Sequence, residues 1–322
     1  MRFVVYGAGA VGGVIGARLF QHGHAVILIA RGAHHDAVRD DGLTVTSPDE
    51  RETLSVPVAD RPESVVWNEE DVVFLAVKSQ DTPAALRSLA DVAPPSVPVV
   101  CVQNGVENER AALRRFSRVY GVPVMCPALH LEPGVVAAYS SPITGILDVG
   151  RWPVGRDDVA EGVARALAAS TFDSRVVDDV ARWKWGKLLT NLGNAIEAVC
   201  GPSARGGVLG DLVRQEGVAC LRSAGIDFVP ADEDRARRGE LLRRGQIDGE
   251  DRPGGSSWQS LARGTGAVET DYLNGEVVLL GRLHGVATPA NELLQRLANE
   301  MARRGDEPGT LPEDDVFAQL TG

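Results

Sequence analysis

With 322 residues, 44% of them apolar and 24% charged, the chain is long enough for two domains, each with a substantial core. A formal charge of −11 argues against nucleic acid or an anionic membrane surface as its partner, and an anionic substrate would need a locally positive site. No apolar run reaches the ~18 residues of a membrane span, and the first residues form a core strand rather than a leader, so a soluble cytoplasmic protein is expected.

The apolar run Met1–Tyr6 predicts a buried strand, followed by Gly7-Ala8-Gly9-Ala10-Val11-Gly12 and an amphipathic helix carrying Val11, Ile15 and Leu19. This is a dinucleotide-binding fingerprint in its proper context, between a strand and a helix. Gly7 permits the tight turn, Gly9 leaves room for a pyrophosphate, and Gly12 lets the helix lie close to the sheet. The helix start then offers N–H groups and its positive dipole end to an anion. The next strand, His24–Ala30, ends in Ala30-Arg31-Gly32 with no acid in place to bind a ribose 2′-hydroxyl, since Asp36 lies several residues too far along. Arg31 is placed to pair with a 2′-phosphate, so NADP(H) is the expected cofactor; a solvated surface arginine is the alternative. His22/His24 and the pair His34-His35 are expected in or beside the early turns, in surface roles.

Asp71–Val77, ending at Lys78, and Val97–Val102, ending at Gln103-Asn104-Gly105, predict further strands, with a helix over 82–91 between them. Alternating strand and helix implies a parallel, doubly wound sheet, whose ligands bind beyond the carboxyl ends of the strands. Lys78 and Asn104 occupy such ends, as Gly7 does. Residues 122–126, 135–139 and 143–149 read as short strands with turn residues between them, suited to antiparallel pairing, and 159–169 as a closing helix. The four cysteines show no CxxC spacing and the six histidines no HExxH, so no metal site is expected.

From about Ala181 long helical patterns take over: 181–200, 207–225, 232–244, 256–263, 268–284 and 289–304. The expected organisation is an α/β dinucleotide-binding domain over 1–178, an all-α domain over 179–304 and a mobile tail over 305–322. Pro230–Arg252 reads as a solvated helix face with i,i+4 pairs Glu233/Arg237 and Glu240/Arg244. Within the first long helix, Lys187, Asn191 and Asn194 fall at roughly 0°, 40° and −20° around the axis, one polar stripe among leucines, whereas Lys184 is expected in solvent. A lysine with two amides suits a carbonyl-reducing site, the lysine protonating oxygen as hydride reaches carbon. A solvated face explains the stripe equally well. Ser256 or Ser257, after Gly254-Gly255, suits a helix N-cap, and Glu269, Asp271 and Asn274 open another helix.

Taken in order, Gly7–Gly12, Arg31, Lys78, Gln103-Asn104-Gly105, Trp185-Gly-Lys187-Leu-Leu-Thr-Asn191, Ser256-Ser257-Trp258 and Glu269–Gly275 resemble the ketopantoate (2-dehydropantoate) reductase family over about residues 1–300. The resemblance implies an N-terminal Rossmann-type domain, an all-helical C-terminal domain, and NADPH-dependent reduction of a 2-oxo acid in a cleft between them. It implies Lys187 as general acid and Glu269 as a substrate hydrogen-bonding group that helps close the site. It further implies Asn191 and Ser257 as substrate contacts, and Lys78 and Asn104 near nicotinamide or substrate. One position departs from the pattern: the family's second asparagine, eight residues after the lysine and followed by proline, is here Ala195-Ile196, with Asn194 one residue earlier. Asn194 can substitute for it or serve another substrate, so a divergent oxidoreductase of the same fold stays open beside the pantoate-forming reaction. A non-catalytic NADP(H)-binding protein is the third reading. The apolar faces of 207–225 and 268–284 are compatible with packing inside the domain or with a homodimer.

Overall fold

The computed structural model describes residues 1–321. Strand β1 (Arg2–Tyr6) has Phe3, Val4 and Val5 fully buried, as a parallel strand covered on both faces requires. It pairs in parallel with β2 (Ala25–Ile29) on one side and with Asp71–Leu75 on the other. The seven-stranded sheet runs in space Gly150–Arg151, Val119–Gly121, Val99–Cys101, Asp71–Leu75, β1, β2, Val58–Ala59. Only the Gly150–Arg151 edge is antiparallel. The chain winds outward from β1 through β2, then returns to the other side of β1 at Asp71–Leu75, which makes β1 the point where strand order reverses.

Helix α1 (Ala10–Gln21) follows β1, and helix α2 (Gly32–Asp41) follows β2. His34 and His35 therefore lie on a helix rather than in a turn, and both are half-buried rather than at the surface. The expected helix over 82–91 is Thr82–Val92, and that over 159–169 is Asp158–Ala168, started by Asp157, whose carboxylate accepts from the Val159 and Ala160 N–H groups. A second, four-stranded sheet joins Arg51–Leu54, Leu43–Thr46, Val135–Ala138 and Ala128–Leu129. Its pairing is mixed: Val135–Ala138 runs parallel to Leu43–Thr46 and antiparallel to Ala128–Leu129. Residues 122–126 contribute one isolated bridge, Met125 to Ile146, and the regular strand in that region is Val119–Gly121.

The chain divides into two compact units, Met1–Lys184 with Ala231–Arg252, and Trp185–Pro230 with the residues from Pro253 onward. The division thus differs from a single boundary near 178, because 231–252 returns to the first unit. The Arg237 side chain is 6% exposed, bonding both oxygens of Asp148 at 2.7 Å and reaching Asp173. Arg182 grips Glu233 through two bonds of 2.8 and 2.7 Å. Glu233 and Arg237 thus take distant partners instead of each other, anchoring an insert whose helix nonetheless buries no residue and keeps a solvated face, with Asp234 paired to Arg238 one turn on. Its helix is only Ala231–Arg238, ended by Gly239 at φ +46°, a left-handed turn that glycine accepts without strain.

In the second unit, helices Gly193–Cys200, Val208–Ser223, Asn274–His284 and Pro289–Arg304 surround Leu192, Ile196, Val213, Leu221 and Leu294. Pro289–Arg304 begins on proline, with Glu216 accepting from the Ala290 and Asn291 N–H groups at 2.9 and 3.0 Å. The expected mobile tail holds the helix Glu313–Thr321, with Val316 buried in this core, and its approach is tied by Gly309 N–H to Ala198 and Leu311 N–H to Val199. Residue 322 of that expected tail lies outside the described residues. No helix among the described residues is long and apolar enough to cross a membrane.

Candidate active site

In the first unit, register aligns the strand ends: Tyr6 opposes both Ile29 and Leu75, and Leu75 opposes Cys101. The segments that follow, Gly7–Gly12, Ala30-Arg31, Ala76–Lys78 and Val102–Asn104, therefore leave one edge of the sheet. Gly7 sits at φ +105°, and a Cβ there would lie 2.7 Å from the Val77 nitrogen. At Gly12 a Cβ would lie 2.1 Å from the Gly7 carbonyl oxygen and 2.8 Å from Ala76 Cβ, so close packing of helix on strand accounts for both glycines. Gly9 is different: a Cβ there would meet nothing within 4 Å. The protein itself gives no steric reason for that glycine, whereas a bound pyrophosphate would. Helix α1 starts at Ala10 with no side-chain cap and no acid in its first turn, which leaves its dipole end suited to an anion. Ala8 is buried, and Ala10 and Val11 pack half-buried against the core. These residues fit a dinucleotide.

Arg31 is exposed at the N-cap position of α2. It faces the carboxyl end of β1 closely enough that its charge opposes the upward push of burial on the Tyr6 hydroxyl pKa. Asp36, the first acid after β2, is occupied by His35 at 3.0 Å and Arg39 at 3.2 Å.

Lys78 and Asn104 are half-buried at adjacent strand ends, held by a network the sequence did not announce. Gln103 Nε2 donates to the Val77 carbonyl at 2.7 Å and to Thr82 Oγ1 at 2.8 Å, and Thr82 donates to Asn108 Oδ1 at 2.7 Å. Asn108 Nδ2 donates to Ser79 Oγ at 3.1 Å and to the Asn104 carbonyl at 3.0 Å. Lys184, expected in solvent, is 2% exposed: its Nζ donates to the Gln103 carbonyl at 2.8 Å and to Glu109 Oε1 at 2.5 Å. Burial raises the Glu109 pKa, and Lys184 pulls it back. A lone lysine between two tryptophans carried no sign of this, because its partner is 75 residues away.

In the second unit, Lys187 Nζ donates to Asn191 Oδ1, as their one-turn spacing implies. Leu192 joins Val180–Asn191 to Gly193–Cys200 with helical dihedrals (φ −57°, ψ −33°) and its N–H bonded to the Leu188 carbonyl at 3.2 Å, and the Asn194 amide donates to Ser256 Oγ at 3.4 Å. Ala195, at the position of the family's second amide, is 1% exposed in the hydrophobic core. Helix Ser256–Ala262 is capped by neither serine: Gly255 holds the N-cap position, its N–H given to Glu197 Oε1 at 3.0 Å, and Glu197 Oε2 accepts from Arg205 at 2.9 Å. Ser257 is buried, and its Oγ has no hydrogen-bond partner among the described residues. Such an orphaned hydroxyl is costly unless a ligand completes it. Glu269 is buried at the start of the short 3-10 turn Glu269–Tyr272, so the expected helix from 268 begins only at Asn274. Its carboxylate partly offsets the lowering of the Arg263 pKa by burial. The thiols of Cys126 and Cys200 are pushed up to about 12 and about 11 by burial, which keeps them protonated and unreactive.

Two family descriptions match the chain: "Ketopantoate reductase PanE/ApbA" over residues 3–153 and "Ketopantoate reductase PanE/ApbA C terminal" over 179–302. The 2-dehydropantoate 2-reductase of Halobacterium salinarum is 30% identical over 95% of this chain and 100% of its own. The chain belongs to the ketopantoate reductase family. It is thereby an oxidoreductase acting between CH–OH and C=O groups. The 2-dehydropantoate 2-reductase of Pyrococcus horikoshii is 28% identical over 92% of this chain and 96% of its own. Among solved structures, a family ketopantoate reductase from Ralstonia eutropha matches with TM-score 0.78 at 29% identity, covering 95% of this chain and 99% of the other. A D-mandelate dehydrogenase solved with NADH and anilino(oxo)acetate shares the fold, with TM-score 0.81 at 21% identity over 95% of this chain and 99% of the other.

Proposed function

We propose that this ketopantoate reductase family member reduces a 2-oxo acid with NADPH, 2-dehydropantoate being the first substrate to try. The observation that carries the cofactor half is Gly9, whose missing side chain leaves open space beside an uncapped helix start. Arg31, with no carboxylate placed to take a ribose hydroxyl, supports the phosphorylated cofactor. When bound, the reduced cofactor supplies a hydride to the carbonyl carbon. Lys187 gives its Nζ proton to the carbonyl oxygen, so the C=O bond becomes CH–OH, and the amine is reprotonated from solvent. Asn191 accepts from Lys187 and keeps that ammonium in one orientation. Ser257 offers its unpartnered hydroxyl, and Glu269 its carboxylate, to the polar groups of the substrate. Asn104 and Lys78, at adjacent strand ends, would contact the nicotinamide or the substrate.

The test is loss of NADPH absorbance over a panel of 2-oxo acids. Turnover of at least one is expected; folded protein that binds NADPH and turns over none of them contradicts the proposal. A second reading, a 2-oxo acid other than 2-dehydropantoate, is favoured by Ala195 in the core and Asn194 engaged with Ser256, since the amide pattern differs from that of the family. Strong activity on another acid with little on 2-dehydropantoate decides for it. For the cofactor, Arg31→Ala is expected to weaken NADPH about 10- to 100-fold, the worth of charge-assisted hydrogen bonds, and to leave NADH nearly unchanged. A fluorescence titration of both nucleotides reads this; wild-type protein that binds NADH as tightly as NADPH would overturn it.

A further inference from the structure

His34 was expected to lie at the surface, yet it spans two backbone segments. Its Nδ1 accepts from the Gly134 N–H at 2.9 Å, which places the ring proton on Nε2, and Nε2 donates to the Ala8 carbonyl at 2.8 Å. The ring rests on His130 with centroids 4.3 Å apart, and His130 Nδ1 lies 3.0 Å from the Val135 carbonyl. Burial lowers the His34 pKa, which favours the neutral ring these two bonds need. Ala8 is the middle of the glycine turn, and its carbonyl shares a planar trans peptide with the N–H of Gly9. In such a peptide C=O and N–H point in opposite directions, so holding one aims the other. Gly9 is also the residue whose side-chain position opens onto empty space.

We propose that His34 is a positioning residue for cofactor binding: by fixing the Ala8 carbonyl it aims the Gly9 N–H at the cofactor pyrophosphate. This rests on the reading of Gly7–Gly12 as the dinucleotide turn. The functional bond is the one from Nε2 to Ala8, and the bond to Gly134 orients the ring. Two amide replacements separate them. A glutamine amide nitrogen reaches roughly where Nε2 sits and retains the donor to Ala8, whereas an asparagine amide reaches only where Nδ1 sits and retains the Gly134 side.

The experiment measures NADPH dissociation constants by fluorescence, kcat at saturating NADPH, and thermal midpoints for wild type, His34→Gln and His34→Asn. The expected result is about tenfold weaker NADPH binding in His34→Asn, near wild-type binding in His34→Gln, and kcat within about twofold in both. A loss in His34→Gln as large as that in His34→Asn, or no loss in His34→Asn, overturns the proposal. Wild-type protein that fails to bind NADPH overturns the dinucleotide reading itself, so the two failures are told apart.

Discussion

Lys187→Ala is expected to lower kcat by about 10²- to 10⁴-fold, the range that a positioned general acid contributes, with NADPH affinity unchanged. On the proposed chemistry the carbonyl oxygen would gain negative charge as hydride arrives, and without Lys187 its proton would have to come from water, a weaker acid. Asn191→Ala should show a smaller loss of the same kind, because Asn191 holds the ammonium rather than supplying the proton. Single-turnover oxidation of NADPH separates chemistry from binding. If Lys187→Ala raised only KM and left the single-turnover rate intact, the lysine would be a binding group and the assignment of acid would be wrong.

Lys184→Met is expected to destabilise the fold by about 3–5 kcal/mol at neutral pH, the usual penalty for stranding one member of a buried ion pair. Glu109 is fully buried, and its carboxylate would have no counter-charge. The pH dependence gives a second signature. Burial already raises the Glu109 pKa, and removing Lys184 removes the group that pulls it back. A carboxyl whose folded pKa lies above its unfolded value costs nothing below the unfolded value and costs progressively more as pH rises to the folded value. The deficit of Lys184→Met should therefore shrink as pH is lowered toward the ordinary carboxylate range. Urea midpoints of wild type and variant across pH check this, and a deficit independent of pH would sink it. Lys184→Met with Glu109→Leu should regain part of the loss, since replacing both members of a buried pair with apolar groups is often tolerated.

What could be read from the chain alone follows the reach of each interaction. The turn at Gly7–Gly12 was legible because its constraints act within a few residues of the glycines, apart from the contact with Ala76 and Val77. Helix Asp158–Ala168 carries its own start signal in Asp157. By contrast, Leu43–Thr46 and Arg51–Leu54 are only four residues each; they pair as a local antiparallel hairpin, and the first gains its second partner, Val135–Ala137, some ninety residues on. In 231–252 the i,i+4 pattern holds for Asp234 and Arg238, but the partners of Glu233 and Arg237, namely Arg182, Asp148 and Asp173, lie far back in the chain. Within the stripe Lys187 donates to Asn191 one turn on, whereas Asn194 takes its hydroxyl partner, Ser256, from 62 residues further along, a pairing that a periodicity of about 100° per residue does not reveal. Lys184 was misjudged for the same reason as the insert: burial of a charge is decided by a distant partner.

The return of residues 231–252 has a consequence for biosynthesis. A nascent polypeptide that has emerged only as far as Lys184 has every strand of the seven-stranded sheet and Arg175 beside Asp148, yet lacks the Arg237 guanidinium that bonds both Asp148 oxygens. The amino-terminal body is therefore completed only after the ribosome has passed Arg252, and part of the helical body is translated before its neighbour is finished. Neither body can be excised by a single cut, so duplication or recombination of this gene would have to carry both bodies together.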